Sequence, residues 1–188
     1  MDRADAAVAS RIASFATLGA MGVTQDLAHA CLGSLVDADP ELIAEETLCL
    51  VATATARALE LALEAHPSLA SIPQTISVLP YTYRDYLVGG AMIAQQNPDL
   101  ADANRDVEHR LEHKLSFYQI HLPPGQFPGE QILYDRMALW MGRISSPGQP
   151  DMPTARLERL ELVPTLLTHL RLVLAFARKE ATGLQAES

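Results

Sequence analysis

Apolar residues recur at three- and four-residue spacing along most of this chain, and the strict alternation typical of strands is almost absent. The clearest instance follows Asp39-Pro40-Glu41, which combines a capping carboxylate, a proline at the first helical position and an acid in the first turn. From there a helix is expected to run to about Ala65. A length of 188 residues suits one domain. We therefore predict an all-α protein, a single-domain helical bundle (1–188) of six or seven helices.

Glycine and proline set the predicted boundaries in the first part of the chain. They predict a helix over 4–19, a break at Gly22 and a second helix over 24–36 that Thr24 caps. The stretch over 67–82 contains three prolines and a β-branched run. Because proline disrupts helix interiors, we expect this stretch to be an extended connection.

The second half of the chain predicts further helices over about 83–96, 97–121 and 130–144, and a loop over 145–153. The last helix carries the widest apolar surface. We expect it to be the central helix, or to pack against both the core and a second subunit. Pro164 lies within its pattern and is expected to kink it. Residues 181–188 are expected to form a disordered tail.

The balance of charge argues against two classes of partner. The chain has 14 Lys and Arg against 23 Asp and Glu, a formal net charge of −9. An acidic surface repels phosphates, so we predict no binding to nucleic acid. The uncharged apolar stretch near the start, 12–23, is well short of the ~20 residues that a membrane span needs. We therefore predict no membrane association either.

The two cysteines, Cys31 and Cys49, are too few for a zinc cluster, and the sequence contains no CxxC motif. Both occupy apolar positions in helical segments, which predicts inert buried thiols in a reducing compartment. The first thirty residues loosely resemble a secretion signal, but Asp2 and Asp5 offset the early arginines. We expect a cytoplasmic protein.

One short segment, His109-Arg110-Leu111-Glu112-His113, carries residues suited to metal chemistry. It places His109 and His113 one helical turn apart, so that both imidazoles can bind one ion. The five residues resemble the H-x-x-E-H pattern of inverted zinc peptidases, in which the histidines hold zinc and the glutamate is the general base. That resemblance, limited to these five residues, implies a divalent metal such as zinc and an acid/base role for Glu112. Candidate third ligands are His29, His66, His121 and His169.

A different interpretation of the two histidines is also open. The predicted apolar stripe of this helix contains Leu111 and Leu115, and both histidines point well away from it. Asp106 and Arg110 share the histidine face, as on a solvated surface. The pair is therefore either a metal site or part of an exposed polar face.

Most aromatic residues lie between positions 81 and 140, near the Gly89-Gly90 pair and a proline-rich loop. Such a cluster either lines an apolar ligand pocket with a few polar tips or fills the core. The residues predicted to line the pocket are Tyr83, Tyr86, Phe117, Tyr134 and Trp140.

The sequence contains neither a phosphate-binding glycine loop nor a hydrolase nucleophile elbow. We therefore expect a non-catalytic, soluble helical module. Its expected partner is another protein, in the first place a second copy in a dimer, or a small apolar ligand. The competing expectation is a metal-dependent enzyme of the hydrolase type, built on His109, Glu112 and His113.

Overall fold

The computed structural model describes residues 3–32, 39–83, 100–144 and 161–187. Within these ranges the chain is helical without a strand, which confirms the predicted all-α class. The helices are α1 (Arg3–Leu32), α2 (Pro40–Leu63), α3 (Ser71–Ser77), α4 (Leu100–His121), α5 (Glu130–Ile144) and α6 (Leu162–Glu187), with a 3-10 turn at Pro67–Leu69 and helical residues at 79–83. The loop predicted over 145–153, and the helix predicted over 83–96 beyond Tyr83, lie outside the described residues.

The centre of the bundle is α2, so the prediction of a central C-terminal helix is wrong. Residues 46–56 of α2 are buried without interruption, which requires neighbours on every side. Those neighbours are α1, α3, α4, α5 and α6. The predicted start of α2 is confirmed, since the Asp39 carboxylate accepts a hydrogen bond of 2.9 Å from the Glu41 amide and Pro40 is the first helical residue.

The predicted break at Gly22 is wrong, because α1 continues through it as one helix of 30 residues. Glycine inside a helix costs only about 1 kcal/mol relative to alanine, which tertiary packing easily offsets. Thr24 does not cap a new helix. Its hydroxyl instead donates to the carbonyl of Ala20 one turn earlier, at 2.8 Å, as threonine does inside a helix.

The extended connection predicted over 67–82 is also wrong. Pro67 begins the 3-10 turn, Pro73 lies in the first turn of α3, and Pro80 is the second residue of the helical stretch 79–83. The first amides of a helix have no intrahelical acceptor, so proline is tolerated there. The three prolines therefore mark helix starts.

Two predictions about the last helix depend on where it begins and ends. Glu161, with a φ of +52°, precedes the helix, and its carbonyl accepts the first helical hydrogen bond from Thr165. Pro164 therefore lies in the first turn of α6 rather than its interior, and the expected cause of a kink is missing. The helix continues to Glu187, so residues 181–187 are not a disordered tail.

Helices α1 and α6 run antiparallel and approach each other closely at Gly19. An added Cβ on Gly19 would lie 2.7 Å from the ring of His169, which is closer than real side chains come. His169 is buried, and its Nε2 shares a hydrogen bond of 2.9 Å with Thr55 Oγ1 of α2. Burial lowers the pKa of His169 to about 4. One neutral imidazole thus joins α1, α2 and α6.

This environment predicts a specific acid sensitivity. The unfolded chain binds a proton at His169 near the ordinary histidine pKa of 6.5, whereas the folded chain does so only near pH 4. Stability from His169 is therefore complete above pH 6.5 and declines as the pH falls toward 4. Between pH 7 and pH 5 we expect a loss of about 2 kcal/mol in the free energy of unfolding.

Urea unfolding at both pH values measures this loss. His169→Asn should remove most of it, whereas the same change at His29, an exposed residue of α1, should leave it in place. Equal pH dependence in the wild type and in His169→Asn would contradict the assignment.

Candidate functional site

The most buried charge among the described residues is Glu46, near the start of the buried run of α2. Its carboxylate accepts hydrogen bonds from Arg143 Nε and Nη2, of α5, at 2.8 and 2.9 Å. Tyr118 of α4 donates its hydroxyl to the same carboxylate at 2.7 Å. Both carboxylate oxygens are therefore partnered, and three helices meet at one charge.

The electrostatics of this cluster do not suit acid-base chemistry near neutral pH. Burial, and then the Glu46 charge, raises the pKa of Tyr118 well above its ordinary value. The hydrogen bond to Glu46 raises the pKa of Arg143 as well. Cys49 lies one turn beyond Glu46, and burial raises the pKa of its thiol, which makes it a poor nucleophile. The hydrogen bonds to Glu46 join α2, α4 and α5 at one point.

A second carboxylate extends the cluster toward the surface. Glu45 pairs with Lys114 and, at 3.3 Å, with Arg110, both on α4. Phe117 contributes an aromatic face, since the Arg143 guanidinium lies 4.3 Å from its ring centre. Acidic residues of α2 thus pair with basic residues of both α4 and α5.

The sequence indicated only part of this cluster. Glu45 is the one charge in the apolar stripe that recurs at three- and four-residue spacing along α2, whereas no pattern in the sequence groups Glu46 with Tyr118 and Arg143. The available signal was that two adjacent acids, Glu45 and Glu46, precede an uncharged stretch. On a helix that is buried on most sides, at least one of two adjacent acids must point into the protein and needs a partner there. Their partners lie on other helices, and a single sequence does not reveal them.

The histidines predicted to bind metal lie together on the exposed surface of α4. The ring centres of His109 and His113 are 4.7 Å apart, and Glu112 Oε2 lies 3.8 Å from His109 Nδ1. Across the described ranges, no three His, Cys, Asp or Glu side chains are grouped to hold a metal ion. Of the candidate third ligands, His169 is buried against Thr55, and His121 packs on Phe117.

The predicted aromatic pocket residues occupy different environments. Trp140 is completely buried in the core, whereas Phe117 is half-buried against Tyr118 and His121. Tyr134 is also half-buried and Tyr83 is exposed. Tyr86 lies outside the described residues. The prediction that these side chains line a ligand pocket therefore stays a prediction.

Both cysteines are buried and unpaired, as predicted for inert thiols. Burial raises the pKa of Cys31 to about 12, and that of Cys49 is also raised. Neither thiol is available as a thiolate near neutral pH.

An apolar surface covers the outside of α1 and α6; we call it the outer face and define it as Phe15, Leu18, Leu172 and Phe176. The rings of Phe15 and Phe176 stack with centres 4.2 Å apart. Leu18 is 74% exposed and Leu172 56%, although both are leucines of helices that pack into the bundle. One turn away from the stacked rings, Arg11 and Glu180 form an ion pair of 2.7 Å. The outer face thus combines exposed apolar side chains of both helices, and an ion pair lies one turn from the stacked rings.

Of the helices that the structure describes, α1 meets the length and composition of a membrane span over Ala4–Leu32. Only 22% of its most apolar 18-residue stretch is buried. A core helix of a soluble protein and an N-terminal signal sequence meet the same criterion.

Comparison with known proteins does not assign the chain to a family. No family model matches it, and no significant match exists among the curated proteins or the solved structures.

The Glu46 cluster generates a stability prediction. Glu46→Gln keeps the shape of the side chain but leaves Arg143 without its counter-charge. Breaking a buried pair costs about 3–5 kcal/mol, and we expect the lower end because Arg143 is 30% exposed. Urea unfolding at neutral pH measures the change.

Glu180→Gln is the matched control, because Glu180 also pairs with an arginine but at the surface, where such pairs contribute at most about 1 kcal/mol. If both variants lose equally little stability, Glu46 does not hold the three helices together.

Proposed function

We propose that this chain is a non-catalytic helical module that associates with itself through the outer face, as a symmetric dimer. The observation that carries the proposal is the exposure of Leu18 and Leu172 beside the stacked rings of Phe15 and Phe176. Contiguous apolar surface of this kind marks an interaction site, whereas single exposed apolar residues are common.

The dimensions of α1 and α6 suit a second copy of the chain. Helices of 30 and 26 residues are about 45 and 39 Å long, and two side by side are about 20 Å wide. The outer face itself occupies about one turn of each helix, so an interface of ~800 Å² per partner would also use the surface of α1 and α6 on either side of it. A small apolar ligand needs to be enclosed on most sides, whereas the outer face consists of side chains from two neighbouring helices.

Charge at the end of the outer face supports pairing by a two-fold axis. Such an axis brings the same surface patch of both copies together, so the charges of that patch must be complementary to those of its own copy. Arg11 and Glu180 carry opposite charges, and Arg11 is half exposed. A second copy can therefore place its own positive and negative groups beside groups of opposite charge at this end, so that like charges do not meet.

The interior chemistry supports a role without catalysis. The Glu46 carboxylate is fully hydrogen-bonded, and burial raises the pKa of both thiols. Unpaired buried cysteines also suit the reducing cytoplasm, where we place the module.

The proposal predicts the effect of a charge on the outer face. Leu18→Lys places an ammonium in the centre of the interface, where burying it is costly. The dissociation constant of the dimer should therefore rise at least tenfold. Sedimentation equilibrium or light scattering over a concentration series measures this. The matched control is Ile120→Lys on α4, because Ile120 is 75% exposed and lies outside the outer face.

Three outcomes contradict self-association: a wild type that is monomeric throughout the series, equal effects of Leu18→Lys and Ile120→Lys, or co-sedimentation of the wild type with neutral phospholipid vesicles that Leu18→Lys abolishes. The last outcome would make the outer face a membrane contact.

A second candidate function is metal-dependent hydrolysis at His109 and His113. The favourable observation is the distance of 4.7 Å between the two ring centres, with Glu112 on the same exposed surface. Two imidazoles one turn apart can bind one zinc ion, and a catalytic site needs a third protein ligand and a bound water. Glu112 would then act as acid/base toward that water.

This second candidate predicts metal binding that depends on both histidines. Protein purified without chelator and without a nickel column should contain about one equivalent of zinc by elemental analysis. His113→Ala should remove it, whereas His66→Ala, at a histidine far along the sequence, should not. Absence of metal in the wild type, or retention in His113→Ala, removes the site from consideration.

A further inference from the structure

The contact between α1 and α6 that encloses His169 lies at the level of the outer face. On α1, Leu18 of the outer face is next to Gly19, the residue that packs against the His169 ring. On α6, Leu172 of the outer face follows His169 by three residues, which is about one helical turn. A buried titratable ring and two exposed leucines therefore belong to the same turns of the same two helices.

The same two helices also meet on the outer side of this contact. Phe15 of α1 and Phe176 of α6 stack across the gap between the helices, with ring centres 4.2 Å apart. On the inner side, Thr55 holds the His169 ring and belongs to the run of α2 that is buried without interruption. Hydration of the ring therefore requires α1 and α6 to move apart.

No charged side chain in the described part of the chain is placed to balance a proton on His169. Burial is what lowers the pKa of this residue, and the groups that face its ring are Gly19 of α1 and the Thr55 hydroxyl of α2. The ionisable residues closest to this contact along each helix are Asp26 of α1, Arg57 of α2 and Arg171 of α6. The first and last of these are exposed, and Arg57 is hydrogen-bonded to Glu60. A protonated ring would therefore be an unpaired buried charge.

We propose that protonation of His169 dissociates the dimer, so that self-association through the outer face is sensitive to acid. This regulation rests on the proposed dimer. A second copy covers the stacked rings and opposes the separation of α1 from α6, whereas in a single chain nothing holds the rings from outside. A proton then binds the single chain in preference to the dimer. Because coupling between two binding equilibria is reciprocal, a fall in pH favours dissociation.

The size of the effect follows from the pKa of His169, which burial lowers to about 4. At pH 4 half of the dissociated chains carry the proton, whereas at pH 7 almost none does. A dimer that excludes the proton loses a factor of about two for each of its copies, so its dissociation constant should rise about fourfold. Carboxyl groups ordinarily titrate in the same range, so the effect must be measured against a variant that lacks only the imidazole.

The experiment is sedimentation equilibrium of the full chain at pH 7, 5 and 4, with circular dichroism of the same samples. The wild type should show the fourfold rise while its helicity is unchanged. His169→Gln replaces the ring by a neutral amide that can still bond with Thr55, and its dissociation constant should change less. His29→Gln, at an exposed residue of α1, is the matched control and should behave as the wild type. The ion pair of Arg11 and Glu180 is the same in all three proteins.

A second measurement needs no substitution at His169. An NMR titration of the histidine rings, labelled with ¹⁵N, gives the pKa of His169 directly. Reciprocity requires this pKa to be higher in the monomeric Leu18→Lys variant than in the wild type at a concentration where it is a dimer.

The outcomes distinguish this regulation from the dimer itself. A wild type that is monomeric at pH 7 overturns both. Four outcomes with a wild-type dimer at pH 7 overturn the regulation alone: a dissociation constant that is the same at pH 4, an equal rise in His169→Gln, dissociation that occurs only with loss of helicity, or an equal pKa of His169 in the dimer and in Leu18→Lys.

Discussion

A carboxylate that cannot reach water determines how three of the helices meet. α2 is covered on all sides, so the charge of Glu46 must be balanced by groups that other helices bring to it. Arg143 and Tyr118 meet it with good geometry, and a slide of α5 by one turn, about 5 Å, would separate the pair. An apolar contact tolerates such a slide far better. The ion cluster therefore contributes chiefly to the register of the helices, and its desolvation offsets much of its attraction.

The opposite side of α2 has its own polar anchor. Thr55 follows Glu46 by nine residues, which is 2.5 helical turns, so the two side chains lie on opposite faces. Thr55 shares its hydrogen bond with His169, and the glycine of α1 lets that ring approach. α2 thus fixes α4 and α5 through an ion pair and α1 and α6 through a neutral imidazole. Protonation of His169 as the pH falls toward 4 weakens the anchor that it makes with Thr55.

How much the sequence predicts depends on whether the signal is local. The start of α2 and the bounds of α5 follow from caps and periodicity within the segment, and both were predicted correctly. Gly22 and Pro164 were misassigned because the effect of each residue depends on its position in a helix, which packing decides. The Glu46 partners lie 72 and 97 residues away. The periodicity of α2 contains no information on partners so distant in sequence. The adjacent acids Glu45 and Glu46 therefore indicate only that partners are needed.

The distribution of side-chain size on α1 connects the fold to the proposed dimer. Its buried positions beside α6 are small, Ala16 and Ala20, and Gly19 admits the His169 ring, so the helices come close together. The large residues of the same turns, Phe15 and Leu18, are displaced to the outside. Other buried positions of α1 are large, Ile12 and Leu27, so the small residues are confined to the turns nearest Gly19. If a second copy covers the outer face as proposed, burial of Phe15 and Leu18 adds to the stability of the dimer, and α1 then packs on both sides.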